Sequence, residues 1–352
     1  MNLSQRLSNS FYQVVAAINE PHKVYLVQHR DSGRFYVKKI LDVYSADVYK
    51  DLQAHPIPGI PRIMDSWEED GRLVIIEEFI SGVTLRDLIE STSSPAANTD
   101  LREILTVERI GHYMAGLCEI LERLHSHNPP LIHRDLKPSN IIITSCGNAM
   151  LLDFNAARFY SGEPGRESDT RLLGTKGYAA PEQYGFGESS PQTDIYSVGR
   201  ILQECVDALP EGDISSEETA VRKRPVSAKV TGPHVFDTVI RKCTQISPSK
   251  RYSSAAALKS ALLGCIGEHP SGYHRTCDQS LSSAGLSDTQ PLEDADRLRC
   301  ILPGLRSESH IKGSDCFYAG AMDGENTGPF PGADEHRTGQ QLSGYSTIYA
   351  IS

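Results

Sequence analysis

The chain has 352 residues, 39% of them hydrophobic and 23% charged, which suits a sizeable core and excludes disorder throughout. Forty-five acidic against 35 basic residues give a formal charge of −10, excluding a chain-wide affinity for nucleic acid or an anionic membrane. The N-terminal MNLSQRLSNS has no apolar signal-peptide core. The first 80 residues then read as strand-rich. Residues 11–15 (FYQVV), 23–27 (KVYLV), 35–37 (FYV) and 73–76 (LVII) are short β-branched and aromatic runs. Turn residues separate them at 19–21, 31–33 and 70–71, the last an Asp-Gly hairpin signal. After Gly82 the pattern becomes helical. Ile110, Met114, Leu117, Leu121 and Leu124 form one face of a long buried helix. A small β-rich lobe ahead of a larger helical lobe makes a two-lobed α+β fold, with a ligand cleft expected between the lobes.

From Gly267 onward the composition changes. These last 86 residues contain no valine and 11 glycines, and no apolar period persists. They hold 12 acidic and 6 basic residues, so −6 of the −10 sits there and −4 remains for the preceding 266 residues. Residues 267–352 are expected to be a mostly disordered, polar, acidic tail. The apolar runs at 73–76 and 141–143 are far too short to span a bilayer. Eight scattered cysteines include no CxxC pair, and they read as reduced thiols of a cytoplasmic protein rather than a disulfide framework or zinc site.

Chemistry concentrates just past the long helix. Residues 131–141 read LIHRDLKPSNI, and Asp153-Phe-Asn follows 18 residues after Asp135. Phosphoryl transfer from a nucleotide needs one carboxylate to accept a hydroxyl proton and a lysine to neutralise the moving group. It also needs an amide oxygen and a second carboxylate to hold Mg²⁺. Positioning and charge then carry the catalysis.

HRDLKPSN resembles the catalytic loop of eukaryotic-type (Hanks-type) Ser/Thr protein kinases. Residues 174–182 (GTKGYAAPE) resemble the end of an activation segment. Residues 194–199 (DIYSVG) resemble the buried helix that supports the catalytic loop, and 248–252 (PSKRY) the late arginine that pairs with the APE glutamate. The wording AAPEQYGF is most similar to bacterial members. The resemblance covers about residues 10–264 and implies a protein-kinase-like fold. A kinase domain is expected over 10–266, with an N-lobe at about 10–77, a hinge at about 78–82 and a C-lobe at about 83–266.

The resemblance implies that Asp135 is the catalytic base and that Lys137 contacts the transferring phosphate. Asn140 and Asp153 would bind the metal, and Thr175 would hydrogen-bond Asp135 and Lys137. Glu182, Asp194 and Arg251 would be structural, and Arg134 would answer phosphorylation of the activation segment at Ser168 or Thr170. Of the adjacent lysines, Lys39 is expected to hold the nucleotide phosphates, since strand alternation puts only one on the cleft face. Val24 and Val37 would cover adenine, and Glu78 opens the hinge. ATP with Mg²⁺, or Mn²⁺ in its place, is the implied cofactor. Protein Ser/Thr hydroxyls are the implied substrates, with autophosphorylation. A phosphothreonine-binding module is an expected partner through the tail, where Thr289 stands among several serines.

Four departures from the family pattern stand out. Asn19 and His22 replace glycines of the phosphate-covering loop, which predicts a differently shaped lid or weaker nucleotide affinity. The short helix that normally supplies the lysine's partner has only Asp47 and Asp51, of which Asp47 is the choice. Asn155 replaces the glycine after Asp153-Phe, and asparagine tolerates the left-handed conformation expected there. Glu77 stands before the hinge where an apolar residue is usual. It either pairs with Lys39 or, with the strand shifted, faces solvent. These departures keep open a second reading, a catalytically weak nucleotide-binding scaffold.

Overall fold

The computed structural model describes residues 11–93, 105–160, 174–185, 187–209 and 233–267. The expected tail, apart from Gly267, and the sites Ser168 and Thr170 lie outside them.

The N-terminal part is an antiparallel sheet of β1 (Tyr12–Asn19), β2 (Val24–His29), β3 (Phe35–Leu41), β4 (Ile63–Glu69) and β5 (Arg72–Glu78), in the order β1-β2-β3-β5-β4. The expected strand runs overlap β1, β2, β3 and β5, with Phe11 and Lys23 just outside β1 and β2. β4 is an addition, hidden at the sequence level because IMDSWEE carries four polar residues. Asp70-Gly71 makes the β4–β5 hairpin, with both residues at positive φ (50° and 73°). Helix α1 (Ala46–Ala54) follows β3 and buries Val48, Tyr49 and Leu52, so Asp47 is left on its exposed side.

The remainder is helical around two small ladders: β6 (Val83–Thr84), β8 (Ile141–Ile143) and β9 (Ala149–Leu151) form one, β7 (Leu131–Ile132) and β10 (Arg158–Phe159) the other. Its helices are α2 (Leu85–Ser93), α3 (Val107–His125), α4 (Pro191–Asp207), α5 (Asp237–Cys243) and α6 (Ala255–Cys265). Thr106 caps α3, its side chain accepting from Arg109 N at 3.3 Å. All five predicted apolar residues of α3 are buried, each contributing about 1.5–3 kcal/mol. The principal core runs without a break from Leu41, Leu52 and Ile75 to α3, α4 and α6.

Two glycines permit close approaches. A Cβ on Gly82 would lie 2.5 Å from Ile143 O, so glycine lets the chain between β5 and β6 lie against β8. A Cβ on Gly199 would lie 2.4 Å from Cys243 Cβ, which fixes how closely α4 packs on α5. The sheet-rich part and the helical part are the expected two lobes of an α+β fold.

Candidate active site

The segment 131–143 leaves β7, makes one turn of 3₁₀ helix (Pro138–Asn140) and enters β8. Asp194, at the start of α4 and fully buried, anchors it. Its carboxylate accepts the backbone N–H of His133 (3.0 Å) and of Arg134 (2.9 Å), and it lies 2.8 Å from His125 Nε2. Burial pushes the Asp194 carboxyl up, but these donors outweigh it and hold the group below its ordinary range. Arg134 is buried and takes the left-handed conformation (φ 68°), which turns the chain toward Asp135. His133 places its ring edge-on to Phe154, 4.9 Å between centroids, with Nε2 3.1 Å from Leu152 O.

Asp135 projects into the cleft. Thr175 Oγ1 donates to its Oδ1 at 2.7 Å, and Lys137 Nζ donates to its Oδ2 at 2.9 Å and to Thr175 Oγ1 at 3.2 Å. Burial raises the Asp135 carboxyl, yet the Lys137 charge and both hydrogen bonds leave it below the ordinary carboxylate range. Asn140 Nδ2 donates to Asp135 O at 3.0 Å, so its Oδ1 is the end free of that bond. The expected trio of Asp135, Lys137 and Thr175 is thus brought together.

Thr175→Ala removes two hydrogen bonds to charged groups, each worth about 1.5–3 kcal/mol. Turnover measured with a peptide substrate is expected to fall about ten- to a hundredfold, and Thr175→Ser should restore most of it. Turnover of Thr175→Ala within twofold of wild type would remove Thr175 from the site.

Asp153 lines the same cleft, and its own φ is positive (65°). That corrects one expectation: the left-handed residue of Asp-Phe-Asn is Asp153, not Asn155. Asn155 instead uses its side chain, whose Oδ1 accepts from the Tyr49 hydroxyl at 2.6 Å. Tyr49 comes from α1, and burial raises its phenol well above the ordinary value, with Asp153 and Glu77 nearby adding to the shift. The helix therefore reaches the Asp153–Asn155 loop through a phenol. Sequence reasoning missed Tyr49, because residues 106 positions apart meet only in the fold.

Lys39 makes the expected pair with Glu77, and the second correction is to Asp47 as its partner. Lys39 Nζ lies 2.6 Å from Glu77 Oε1, both side chains buried, while Asp47 is exposed. Asp47 points away because α1 turns Val48, Tyr49 and Leu52 toward the core. Burial raises the Glu77 carboxyl, Lys39 opposes this and Asp153 reinforces it. Lys38 takes the other face of β3, with its Nζ 5.9 Å from the centre of the Trp67 ring. Strand alternation separates the two lysines as expected.

An apolar site lies beside this pair. Val37, Ile80, Ile142 and Leu152 are buried together, with Ile18, Val24, Phe79 and Met150 packed against them. Val24 and Val37 come from the sheet above, Ile142 and Leu152 from the helical lobe below. The last two were not anticipated. Glu78, exposed, ends β5 and accepts from Arg62 N through its Oε2 at 3.3 Å. The strand is not shifted: Val37 is in register with Glu77, and Glu77 faces inward.

The cleft has a volume of about 460 Å³, and Pro21, His22, Lys23, Val24, Lys39, Asp135, Asp153 and Thr175 are among its lining. Its lid between β1 and β2 is a tight turn. Asn19 Oδ1 accepts from His22 N at 3.3 Å, and Lys23 has φ 55° and pairs with Asp42 at 2.7 Å. Side-chain capping shapes the turn where the family uses glycine.

Behind the site, Arg251 clamps Glu182 of the APE triplet. Nη1 and Nη2 donate to the two carboxylate oxygens at 2.6 and 2.8 Å, and Thr193 Oγ1 adds a third bond at 2.9 Å.

Comparison with known proteins decides the assignment. The protein kinase domain family matches residues 20–263. The chain belongs to the protein kinase family. It is 30% identical over 270 residues to the serine/threonine-protein kinase PknB of Mycobacterium tuberculosis, covering 69% of this chain and 41% of that protein. It is 32% identical over 228 residues to serine/threonine-protein kinase D of a Synechocystis, covering 63% and 41%. A probable serine/threonine-protein kinase of Streptomyces coelicolor is 28% identical over 227 residues, covering 61% and 32%. The chain therefore spans about two fifths of the length of the first of these relatives. These kinases are bacterial, in keeping with the AAPEQYGF wording. Among the described residues no helix is long and apolar enough to cross a membrane.

Proposed function

We propose that this chain is an active ATP-dependent Ser/Thr protein kinase. The observation that carries the reading is the convergence of Asp135, Lys137 and Thr175 within hydrogen-bonding distance, in a cleft shared with Asp153 and Lys39. In this reading Asp135 accepts the proton of the substrate hydroxyl, and Lys137 neutralises the phosphoryl group as it moves. The relatives named as serine/threonine kinases support protein hydroxyls as substrates.

ATP would place its base in the apolar site of Val24, Val37, Ile142 and Leu152, against the hinge that begins at Glu78. Lys39 would anchor its phosphates. Mg²⁺ would be held by the Asp153 carboxylate, which lines the cleft, and by the Asn140 amide oxygen; both are hard oxygen ligands, and Mn²⁺ accepts the same set. The metal, when bound, neutralises charge on the phosphates. Arg134 remains the proposed receiver of a phosphate added at Ser168 or Thr170, and the tail, through Thr289, the proposed site for a phosphothreonine-binding module. Free Cys118, Cys146, Cys205, Cys243 and Cys265 suit a reducing, cytoplasmic setting.

The test uses labelled Mg-ATP, a generic basic protein and phosphoamino-acid analysis. Wild type should transfer phosphate to serine and threonine, whereas Asp153→Ala should not. Equal transfer by both proteins would leave the nucleotide-binding scaffold as the better reading. A thermal shift with Mg-ATP, present or absent, would show whether that scaffold binds nucleotide.

A further inference from the structure

The end of α1 meets the loop between α3 and β7. Asp51 lies in the last turn of α1 and His55 is its C-cap residue, four positions on, so both sit on one face. His127 comes from the other lobe. One ligating atom from each, an imidazole nitrogen or a carboxylate oxygen, lies within 4.8 Å of the others. His55 Nδ1 is 3.1 Å from Asp51 Oδ1, and His127 Nε2 is 3.1 Å from Asp51 Oδ2.

The tautomer of His127 gives the arrangement its meaning. Its Nδ1 lies 3.1 Å from the carbonyl oxygen of Pro129, which can only accept. The proton of the neutral ring therefore sits on Nδ1, and Nε2 presents a lone pair to Asp51 Oδ2. That oxygen is buried and receives no hydrogen bond. In the neutral ring two lone pairs face each other at this distance, an arrangement relieved by a cation between them, either a proton on the ring or a metal ion. A ring nitrogen that donates to a backbone carbonyl while the other faces a carboxylate is also how metal-binding histidines are oriented.

We propose that Asp51, His55 and His127 bind a divalent transition metal of the Zn²⁺ type, separate from the metal of the catalytic cleft. Zinc takes imidazole nitrogen at about 2.0–2.1 Å and carboxylate oxygen at about 2.0–2.2 Å, with water in the fourth position of a three-ligand site. Donors in such a tetrahedron are about 3.3 Å apart, so both separations of 3.1 Å already suit it. His55, with its side chain 68% exposed, is free to close the remaining distance. Bound metal would tie the end of α1 to the segment that leads into β7 and the catalytic loop.

The experiment titrates Zn²⁺ into the chelator-treated full chain by calorimetry, alongside His55→Ala, His127→Ala, Asp51→Asn and Asp153→Ala. One equivalent should bind wild type and Asp153→Ala alike, and each of the first three variants should weaken it at least tenfold. His55→Ala changes an exposed side chain and so keeps the fold. Because the chain has eight cysteines, Co²⁺ is used as a second probe. Its spectrum should show tetrahedral bands without thiolate charge transfer. Equal affinity across His55→Ala, His127→Ala and wild type, a thiolate band, or no binding by wild type would each overturn the site. None of these outcomes depends on whether the chain transfers phosphate.

Discussion

Asp135→Asn is expected to lower turnover by about two to four orders of magnitude, the range a positioned general base supplies. Asparagine keeps the shape and can still accept from Thr175, so the loss isolates proton acceptance from folding. The KM for ATP should move little, because the apolar site and Lys39 are untouched, and the thermal shift with Mg-ATP should persist. The pH profile supplies a second check. Asp135 is held below its ordinary range because Lys137 and Thr175 together outweigh its burial. A carboxylate lowered in this way is ionised at neutral pH. Its contribution to stability is present above the unfolded value and lost as pH falls through the folded one. Wild-type turnover should therefore show no acid-side loss from Asp135 until the pH is below the ordinary carboxylate range. Turnover of Asp135→Asn within threefold of wild type would sink the assignment.

Arg251→Ala is expected to destabilise the fold by about 3–5 kcal/mol, because it leaves Glu182 buried without its cation. The Arg251 side chain is 0% exposed and that of Glu182 6%, so water cannot replace the lost partner. Arg251 also donates to the carbonyls of Gln245, Gln192 and Ile246, which lose a donor in the variant. For a domain of this size the melting temperature should drop by about 6–20 °C. The pair Arg251→Met with Glu182→Leu should recover part of the loss, since exchanging both charges removes the stranded one. A drop below 3 °C in calorimetry for Arg251→Ala would contradict this account.

The contiguous parts of the site were legible in the sequence. HRDLKPSN places Asp135, Lys137 and Asn140 within six residues of chain, and the local geometry of the loop leaves them little choice of direction. Lys39 could be preferred to Lys38 because strand alternation is a local rule. Two expectations failed where the outcome depends on packing between distant segments. The partner of Lys39 was sought on α1, as the family pattern suggests, but the buried face of α1 carries Tyr49 rather than an acid. The positive φ was assigned to Asn155 on residue type alone. In the fold Asp153 takes it, while the amide of Asn155 is held by Tyr49. Ile142 and Leu152 stand in the sequence as ordinary core residues. Their place beneath Val24 and Val37 follows only once the two lobes meet.

The Lys39–Glu77 pair joins neighbouring strands of one sheet, β3 and β5. An ion pair made within a sheet does not open when a helix moves. If a binding protein drew α1 outward, the Lys39–Glu77 pair would stay closed. What would break is the bond from Tyr49 to Asn155, two residues from Asp153. Withdrawal of the helix would thus be felt at the Asp153–Asn155 loop and not at Lys39.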